Sequence, residues 1–398
     1  MSLNKDNLLN PISTQELERR WGLARTAMRE RGIDALVVQC SNEHMGGYVR
    51  WFTDFPATNG YPRSVLFPGD DLMTVVEQGP MGEEHLVGAD DYVHRGVKRR
   101  IFNPSYCTVH YTKHFNAEQM SAAIRSAGYG TIGLVGTASM YYDFCEHLKS
   151  SLSPAVRFVD ATEEIDLFKA QKSDEEIERV RRTAKMQDEV MAAVAHAIKP
   201  GMKDYEITAL AQYRSQLLES EQGTYNGASM PLGKPSFWHF HRHEQGREMR
   251  EGDHLTLLIE NNGAGGFYTE LQRIFVLGKA PQDLSDGFEF MKEAQQHTLR
   301  YLRPGISFKE VFAEHDAFMK RRGLPPEKRM YAHGQGYDLV ERPLIRDDET
   351  MAVAQNMNIA VHPSFSSGRM FAAVCDNFVV TEGDPERLHQ TPQRIFEI

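Results

Sequence analysis

Histidine is concentrated in one short segment of this sequence. His239, His241 and His243 lie within five residues, beside Trp238 and Phe240. Alternate positions of a strand share one face, so a strand here would point the three imidazoles the same way. Imidazole gains and loses a proton near neutral pH, which makes this face a candidate for acid–base catalysis. A polar strand at the protein surface would give the same pattern.

Two carboxylates follow on a predicted hairpin. Glu260 and Glu270 stand ten residues apart, on either side of a glycine-rich connection. Side chains on adjacent antiparallel strands can converge on one site. The alternative is a pair of solvent-facing carboxylates on an exposed sheet face.

Three more candidates lie towards the C-terminus. His333 is followed by Gly-Gln-Gly, and glycines allow a backbone to approach a ligand closely. His362 ends a predicted strand at 357–362, and Cys375 lies within the next, at 370–381. An imidazole and a thiol could therefore face one cavity, although each residue could also simply be buried.

The pattern of elements changes near residue 165. We predict an α/β domain over 1–165, because short apolar runs alternate with helical stretches there, and an α+β domain over 166–398. The second domain opens on a helix with a Ser173–Glu176 capping box that runs to Pro200. The predicted helices are 14–31, 116–127, 138–150, 204–220, 283–302 and 307–322, and the predicted strands are 32–39, 64–67, 72–76, 131–135, 223–230, 253–261, 266–277, 357–362 and 370–381.

Composition narrows the classes of partner. The 398 residues carry a net charge of -10, so no basic field favours nucleic acid or an anionic membrane. No apolar run reaches the roughly 18 residues of a membrane span, and the first residues lack a signal-peptide pattern. The four cysteines are scattered, which is typical of reduced thiols. We expect a cytoplasmic protein that acts on a small molecule.

Several segments, taken in order, resemble the creatinase, prolidase and methionine aminopeptidase superfamily. They are Lys172–Glu178, the Pro-Gly step within Ile198–Ile207, His241 eleven residues before Gly252-Asp253, the His-Gly-Gln-Gly segment at His333, and the last strand at 370–381. The resemblance implies a pita-bread C-terminal domain with a smaller creatinase-type N-terminal domain.

The resemblance also locates the superfamily's five metal ligands, which are Asp, Asp, His, Glu and Glu in its two-metal peptidases. They fall on Ile259 or, with a one-residue shift, Glu260, and then on Glu270, His333, His362 and Cys375. Only the histidine is retained. Loss of the two later carboxylates removes the bridging oxygens, so an active two-metal aminopeptidase is not expected.

Other details are similar to creatinase, a member that works without metal. Tyr268 matches a substrate-contacting tyrosine, whereas the later glutamate of that strand is Gln272. His241 occupies the position of the catalytic histidine. Tyr61 and Arg63 are similar to an aromatic-x-Arg element that reaches into the neighbouring chain's site, where an arginine fork suits a carboxylate.

These observations lead to one favoured hypothesis and two alternatives. The favoured one is a homodimeric hydrolase that cleaves a C–N bond of a small polar carboxylate without metal. His241, Glu270 and His333 would be catalytic, and the substrate would be bound by Tyr268, His362, Cys375, Arg63 and Tyr61. The first alternative is a zinc or iron site, drawn from Glu260, Glu270, His333, His362 and Cys375, that serves an Xaa-Pro-type peptidase or an iron-type lyase. The second is a non-catalytic binding protein.

Overall fold

A computed structural model describes residues 10–42, 44–56, 60–237 and 242–398. The chain divides into two compact units, Met1–Lys169 and Ala170–Ile398. The predicted boundary after residue 165 falls inside the helix Thr162–Ala170, and the domain assignment stays a prediction. Among the described residues, no helix combines the length and the apolar character needed to cross a membrane.

The first unit is built on a seven-stranded mixed sheet in the order β4-β5-β3-β2-β1-β6-β7. Ser13 caps the first helix by accepting from the Glu16 N–H. A core between the sheet and helices α3 and α4 includes Val37, Ile124 and Phe144. The elements are α1 (Thr14–Arg31), β1 (Ala35–Cys40), α2 (Gly47–Thr53), β2 (Arg63–Pro68), β3 (Met73–Gln78), β4 (Glu84–Leu86), β5 (Val97–Asn103), α3 (Phe115–Ala127), β6 (Thr131–Val135), α4 (Tyr142–Leu152), β7 (Arg157–Asp160) and α5 (Thr162–Ala170), with a 3-10 turn at His110–Thr112.

The second unit contains two five-stranded sheets and a two-stranded one. One sheet has the order β19-β11-β10-β8, with β9 also paired to β10, and the other has the order β13-β12-β14-β17-β18. The elements are α6 (Asp174–Ala197), α7 (Asp204–Leu217), β8 (Gly223–Asn226), β9 (Met230–Pro231), β10 (Asp253–Asn262), β11 (Tyr268–Val276), α8 (Gln282–Leu299), α9 (Phe308–Arg321), β12 (Ala332–Gly334), β13 (Glu341–Leu344), β14 (Asn358–Val361), β15 (Ser364–Ser366), β16 (Phe371–Ala373), β17 (Asp376–Val379), β18 (Glu386–Arg387) and β19 (Phe396–Glu397), with a 3-10 turn at Arg242–Glu244.

The β10–β11 hairpin separates a core face from a polar face. Leu255, Leu257 and Ile259 of β10 pack in a core with α6 and α7. Because side chains alternate along a strand, Leu258 and Glu260 point to the opposite face. The predicted capping box of α6 is present, with Ser173 and Glu176 each bonding the other's backbone N–H. The alternation of apolar residues along β10 therefore determines which of its side chains lie on the polar face.

Three predicted strands differ from the structure. The strand at 223–230 is interrupted at Gly227, which has φ 156° and where a Cβ atom would lie 2.6 Å from the Thr256 carbonyl oxygen. The strand at 370–381 is split into β16 and β17. Cys375 lies between them and forms a bridge to Gln272 of the other sheet. The predicted His-rich strand at 239–243 is wrong at its end, since His243 lies in a 3-10 turn; His239 and His241 lie outside the described residues.

Candidate functional site

The two predicted carboxylates face each other across the hairpin. Glu260 pairs directly with Glu270, and Leu258 pairs with Gln272 two residues away. Ile259 is fully buried in the core behind the sheet. Of the two positions that the sequence left open for the first ligand, Glu260 is therefore the one that reaches the polar face.

The second sheet brings His333 and His362 to the same place. His333 lies in β12, beside Ala360 of β14. His362 follows β14 directly, and its N–H donates to the Tyr331 carbonyl at 2.8 Å. Cys375 joins them through its bridge to Gln272. The site therefore lies where the β10–β11 sheet meets the β12–β14–β17 sheet.

Glu270 is the centre of this cluster. Its carboxylate oxygens lie 3.9 Å from His333 Nε2 and 3.7 Å from His362 Nε2. The Cys375 thiol donates to Glu270 Oε1 at 2.8 Å. Ligating atoms of Glu270, His333 and His362 all lie within 4.8 Å of one another, and all three residues are buried. Such a cluster suits either proton transfer or one metal ion.

A cavity of about 160 Å³ opens onto these side chains. Its described lining residues combine the predicted groups with several neutral and apolar ones. They are Asn226, Leu258, Glu260, Glu270, Gln272, Arg329, Met330, His333, Val340, His362 and Cys375.

The two glutamates differ in their tendency to ionise. Burial raises the pKa of Glu260, the charge of Glu270 raises it further, and the guanidinium of Arg329 acts against both. Burial also acts to raise the pKa of Glu270, but the imidazoles of His362 and His333 and the Cys375 hydrogen bond outweigh it, so this pKa is lowered. Both directions favour the negative charge on Glu270 and the proton on Glu260.

The His362 imidazole and the Cys375 thiol are both neutral near pH 7. Burial lowers the pKa of His362 to about 4. Burial also raises the pKa of the Cys375 thiol well above its usual range. A neutral imidazole can bind a metal through its lone pair, whereas a protonated thiol acts as a hydrogen-bond donor.

Side-chain amides fix the glutamates from behind. The Asn377 side-chain oxygen accepts from the Glu270 N–H at 2.7 Å. Its Nδ2 donates to Gln335 Oε1 at 3.0 Å. Gln335 Nε2 is thereby directed to Glu260 Oε1, at 3.1 Å. Each amide orientation determines the next one in this chain.

Arg273 locks the junction of the two sheets. It is fully buried, and its Nη1 donates to the carbonyl oxygens of both Gln272 and Cys375, at 2.7 and 3.0 Å. Its Nη2 pairs with Asp376 at 2.8 Å. One guanidinium thus holds the backbone of two cavity residues, which makes Arg273 a positioning residue.

The glycines after His333 have another role than the one predicted. A Cβ atom on Gly334 would lie 2.5 Å from the Arg342 carbonyl oxygen, and one on Gly336 would lie 2.6 Å from Lys172 Cε. These glycines therefore allow other parts of the protein, not a ligand, to approach closely.

Several predicted site residues are not among the described lining residues of the cavity. The Tyr268 hydroxyl accepts from Gln222 Nε2 at 2.9 Å. Arg63, in the first unit, pairs with Glu77 at 2.8 Å. Tyr61 is 41% exposed, with its ring against Tyr106. Substrate contact by Tyr268, Arg63 and Tyr61 stays a prediction, as does catalysis by His241, which lies outside the described residues.

Sequence reasoning missed Arg329, Asn226 and Gln335. Arg329 and Asn226 line the cavity, and Gln335 lies behind it. Arg329 stands four residues before His333, and that proximity was the only signal in the sequence. Asn226 precedes Gly227 at the end of β8 and could not have been chosen from its residue type alone.

Comparison with known proteins gives a family match and several relatives. The model of metallopeptidase family M24 matches residues 178–382. The "Probable dipeptidase PepE" of Mycobacterium tuberculosis is 23% identical over 241 residues, which cover 60% of this chain and 63% of that protein. This chain therefore spans less than two thirds of that relative's length. The creatinase of Bacillus sp. is 24% identical over 384 residues, which cover 94% of this chain and 86% of that protein.

A solved structure supports the fold over nearly the whole chain. The prolidase of Thermococcus sibiricus superposes with a TM-score of 0.77 at 15% identity, covering 96% of this chain and 99% of that one. The predicted two-domain pita-bread architecture is confirmed. Because the family model matches more than half of its length, this chain belongs to metallopeptidase family M24.

Proposed function

We propose that this protein hydrolyses a C–N bond in a small polar carboxylate, with Glu270, His333 and His362 at the reaction centre. One observation carries the proposal: a carboxylate and two imidazoles converge within 4.8 Å at a cavity of about 160 Å³. A cavity of this size suits a small molecule or the end of a longer one. The creatinase and dipeptidase relatives support hydrolysis as the reaction class.

The same three side chains fit one zinc or iron ion. Two imidazoles and one carboxylate form a ligand set that both metals accept. His333 Nδ1 donates to the Gly334 carbonyl at 2.9 Å, so Nε2 keeps its lone pair on the side of Glu270. A bound ion would supply Lewis-acid activation of water or of the substrate carbonyl. We therefore favour the single-ion alternative over the metal-free reaction that the sequence favoured.

The set does not fit two ions. His362 and Cys375 stand where the superfamily's two-metal peptidases carry their last two carboxylates. A neutral thiol that donates to Glu270 cannot replace a bridging carboxylate. An active two-metal aminopeptidase therefore remains outside the proposal.

Protein groups supply the proton transfers. Burial and the charge of Glu270 keep a proton on Glu260, which makes Glu260 a candidate donor to the departing nitrogen. Glu270 keeps its charge and faces both imidazoles. His241 is retained as a proton shuttle on the strength of its sequence position. Arg63 of the partner subunit is retained as a contact to the substrate carboxylate in a homodimer.

The test combines metal analysis with turnover. Protein purified without chelator is analysed for metals and then incubated with creatine, N-acetyl amino acids and Xaa-Pro dipeptides while amine release is followed. We expect about one zinc or iron ion per chain and loss of turnover on chelation. The Glu270→Gln variant should lose both.

Two outcomes would contradict this proposal. Turnover that survives complete metal removal would favour the metal-free reaction through His241. Binding of these compounds without cleavage by metal-loaded protein would favour the binding-protein alternative.

A further inference from the structure

Gln272 is a buried amide whose side chain has no partner among the described residues. The side chain is fully buried, and neither Nε2 nor Oε1 is hydrogen-bonded to any described residue. Its backbone is fixed, since its N–H donates to the Cys375 carbonyl at 3.3 Å and its carbonyl accepts from Arg273 at 2.7 Å. The side chain borders the cavity. Buried polar groups are nearly always hydrogen-bonded, so this amide indicates that a polar ligand completes it.

Arg329 is the one guanidinium among the described lining residues of this cavity. Its backbone is held on both sides, by Glu327 Oε1 at 2.7 Å and by Arg346 Nη1 at 3.1 Å. Its guanidinium makes no hydrogen bond or ion pair with a described residue. It is nevertheless close enough for its charge to act on both Glu260 and His362.

Two other arginines on neighbouring segments are paired with carboxylates. Arg346 pairs with Asp348 at 2.9 Å, and Arg322 pairs with Glu293 at 2.8 Å. Arg329 instead borders the cavity. A guanidinium at this border would attract the anionic end of a ligand and so orient it.

We propose that Arg329 and Gln272 form the subsite that selects a carboxylate-bearing substrate. The guanidinium binds the carboxylate through two parallel N–H bonds. The Gln272 amide, which can both donate and accept, binds the neighbouring amide or amidine group. This assignment rests on the proposed C–N hydrolysis for the bond that is presented to Glu270, and it places the main anionic contact within the same chain.

The experiment measures binding without turnover. Wild-type protein is titrated by ligand-observed NMR with N-acetylglycine, N-acetylproline, glycylproline and creatine, each beside the carboxamide that replaces its carboxylate. At least one acid should bind at least about tenfold more tightly than its carboxamide, the ratio expected for a charge-assisted hydrogen-bond pair. Arg329→Gln should abolish this preference, and Arg329→Lys should restore part of it. Arg322→Gln, an exposed arginine outside the cavity lining, is the matched control and should keep the preference.

A second variant tests the contribution of the Gln272 amide. Gln272→Leu keeps the size of the side chain and should weaken the acid and its carboxamide by similar factors, because Gln272 contacts the group that they share. Thermal unfolding confirms that each variant is folded.

Three results would overturn the subsite. They are no acid preferred over its carboxamide by wild-type protein, an unchanged preference in Arg329→Gln, or loss of preference in Arg63→Gln alone. Hydrolysis whose KM does not depend on Arg329 would overturn the subsite and leave the proposed function intact. Arg329-dependent binding without hydrolysis of any acid would overturn the proposed function and leave the subsite intact.

Discussion

Glu260 and Glu270 have the same side chain and opposite expected roles. Glu270 holds the charge and faces two imidazoles, whereas burial and the charge of Glu270 keep a proton on Glu260. A glutamine resembles a protonated carboxyl group in shape and neutrality. Glu260→Gln should therefore preserve the charge of the site, and Glu270→Gln should remove it.

Zinc affinity, measured by competition with a chelating dye, tests this difference without a substrate. We expect Glu270→Gln to bind zinc at least about a hundredfold more weakly than wild type, and Glu260→Gln to stay within about tenfold, as for a group outside the ligand set. Equal losses in the two variants would show that the proton is not held by Glu260.

At the scale of strands and helices, Arg273 should be among the most important residues for stability. Its ion pair with Asp376 is fully buried, so Arg273→Met leaves a buried carboxylate whose remaining described partners are Arg387, Gln393 and, at 3.8 Å, His389. We expect a loss of about 3 kcal/mol in the free energy of unfolding in urea. Arg181→Met removes an exposed pair with Glu386 and should lose under about 1 kcal/mol. Losses of similar size in both variants would contradict the positioning role.

Helix α9 contributes a pH dependence of stability. His315 is 1% exposed and stacks on Tyr331 with ring centroids 3.5 Å apart. Burial lowers its pKa to about 3, whereas the unfolded chain binds this proton below about pH 6.5. As pH falls from about 6.5 towards 3, protons therefore favour the unfolded state, by about 1.4 kcal/mol per pH unit.

His315→Phe removes this titration and keeps an aromatic ring. Urea unfolding of both proteins between pH 7.5 and 4.5 should show wild type losing stability relative to the variant below pH 6.5. A difference between the two proteins that is constant with pH would show that His315 does not titrate in this way.

The helices and strands were more predictable from the sequence than the residues that line the cavity. Helix α1 and strand β6 follow the prediction because capping and apolar periodicity are local signals. The Glu260–Glu270 pairing was also predictable, since a hairpin fixes which residues face each other. Arg329 and the Gln272–Cys375 bridge were not, because they depend on the packing of two sheets whose strands are distant in sequence.

At the scale of the whole molecule, the homodimer can be tested by mixing variants of reduced activity. The resemblance to creatinase implies that Arg63 reaches the partner's site; in that case, dimers formed from Arg63→Ala and Glu270→Gln should contain one site with neither change. We expect the mixture to exceed the summed activity of its parents once subunits have exchanged.

A control pair separates dimer exchange from complementation. Glu270→Gln mixed with His333→Ala should show no recovery, because each hybrid site keeps one of the two changes. No recovery in either mixture, with heterodimers demonstrated by mass, would place Arg63 outside the shared site.

The position of the site at the junction of two sheets has a mechanical consequence. Glu270 comes from one sheet and His333 and His362 from the other, so any ligand that contacts all three acts as a cross-link between them. A ligand present at a hundred times its Kd raises the free energy needed to open that junction by about 2.7 kcal/mol. Hydrogen–deuterium exchange at the amides of Glu270, Gln272 and His362 should slow in proportion on addition of zinc, whereas the amides of β1 and β2 should exchange as before. Zinc binding would thus be measured by the decrease in the rate at which the two sheets separate.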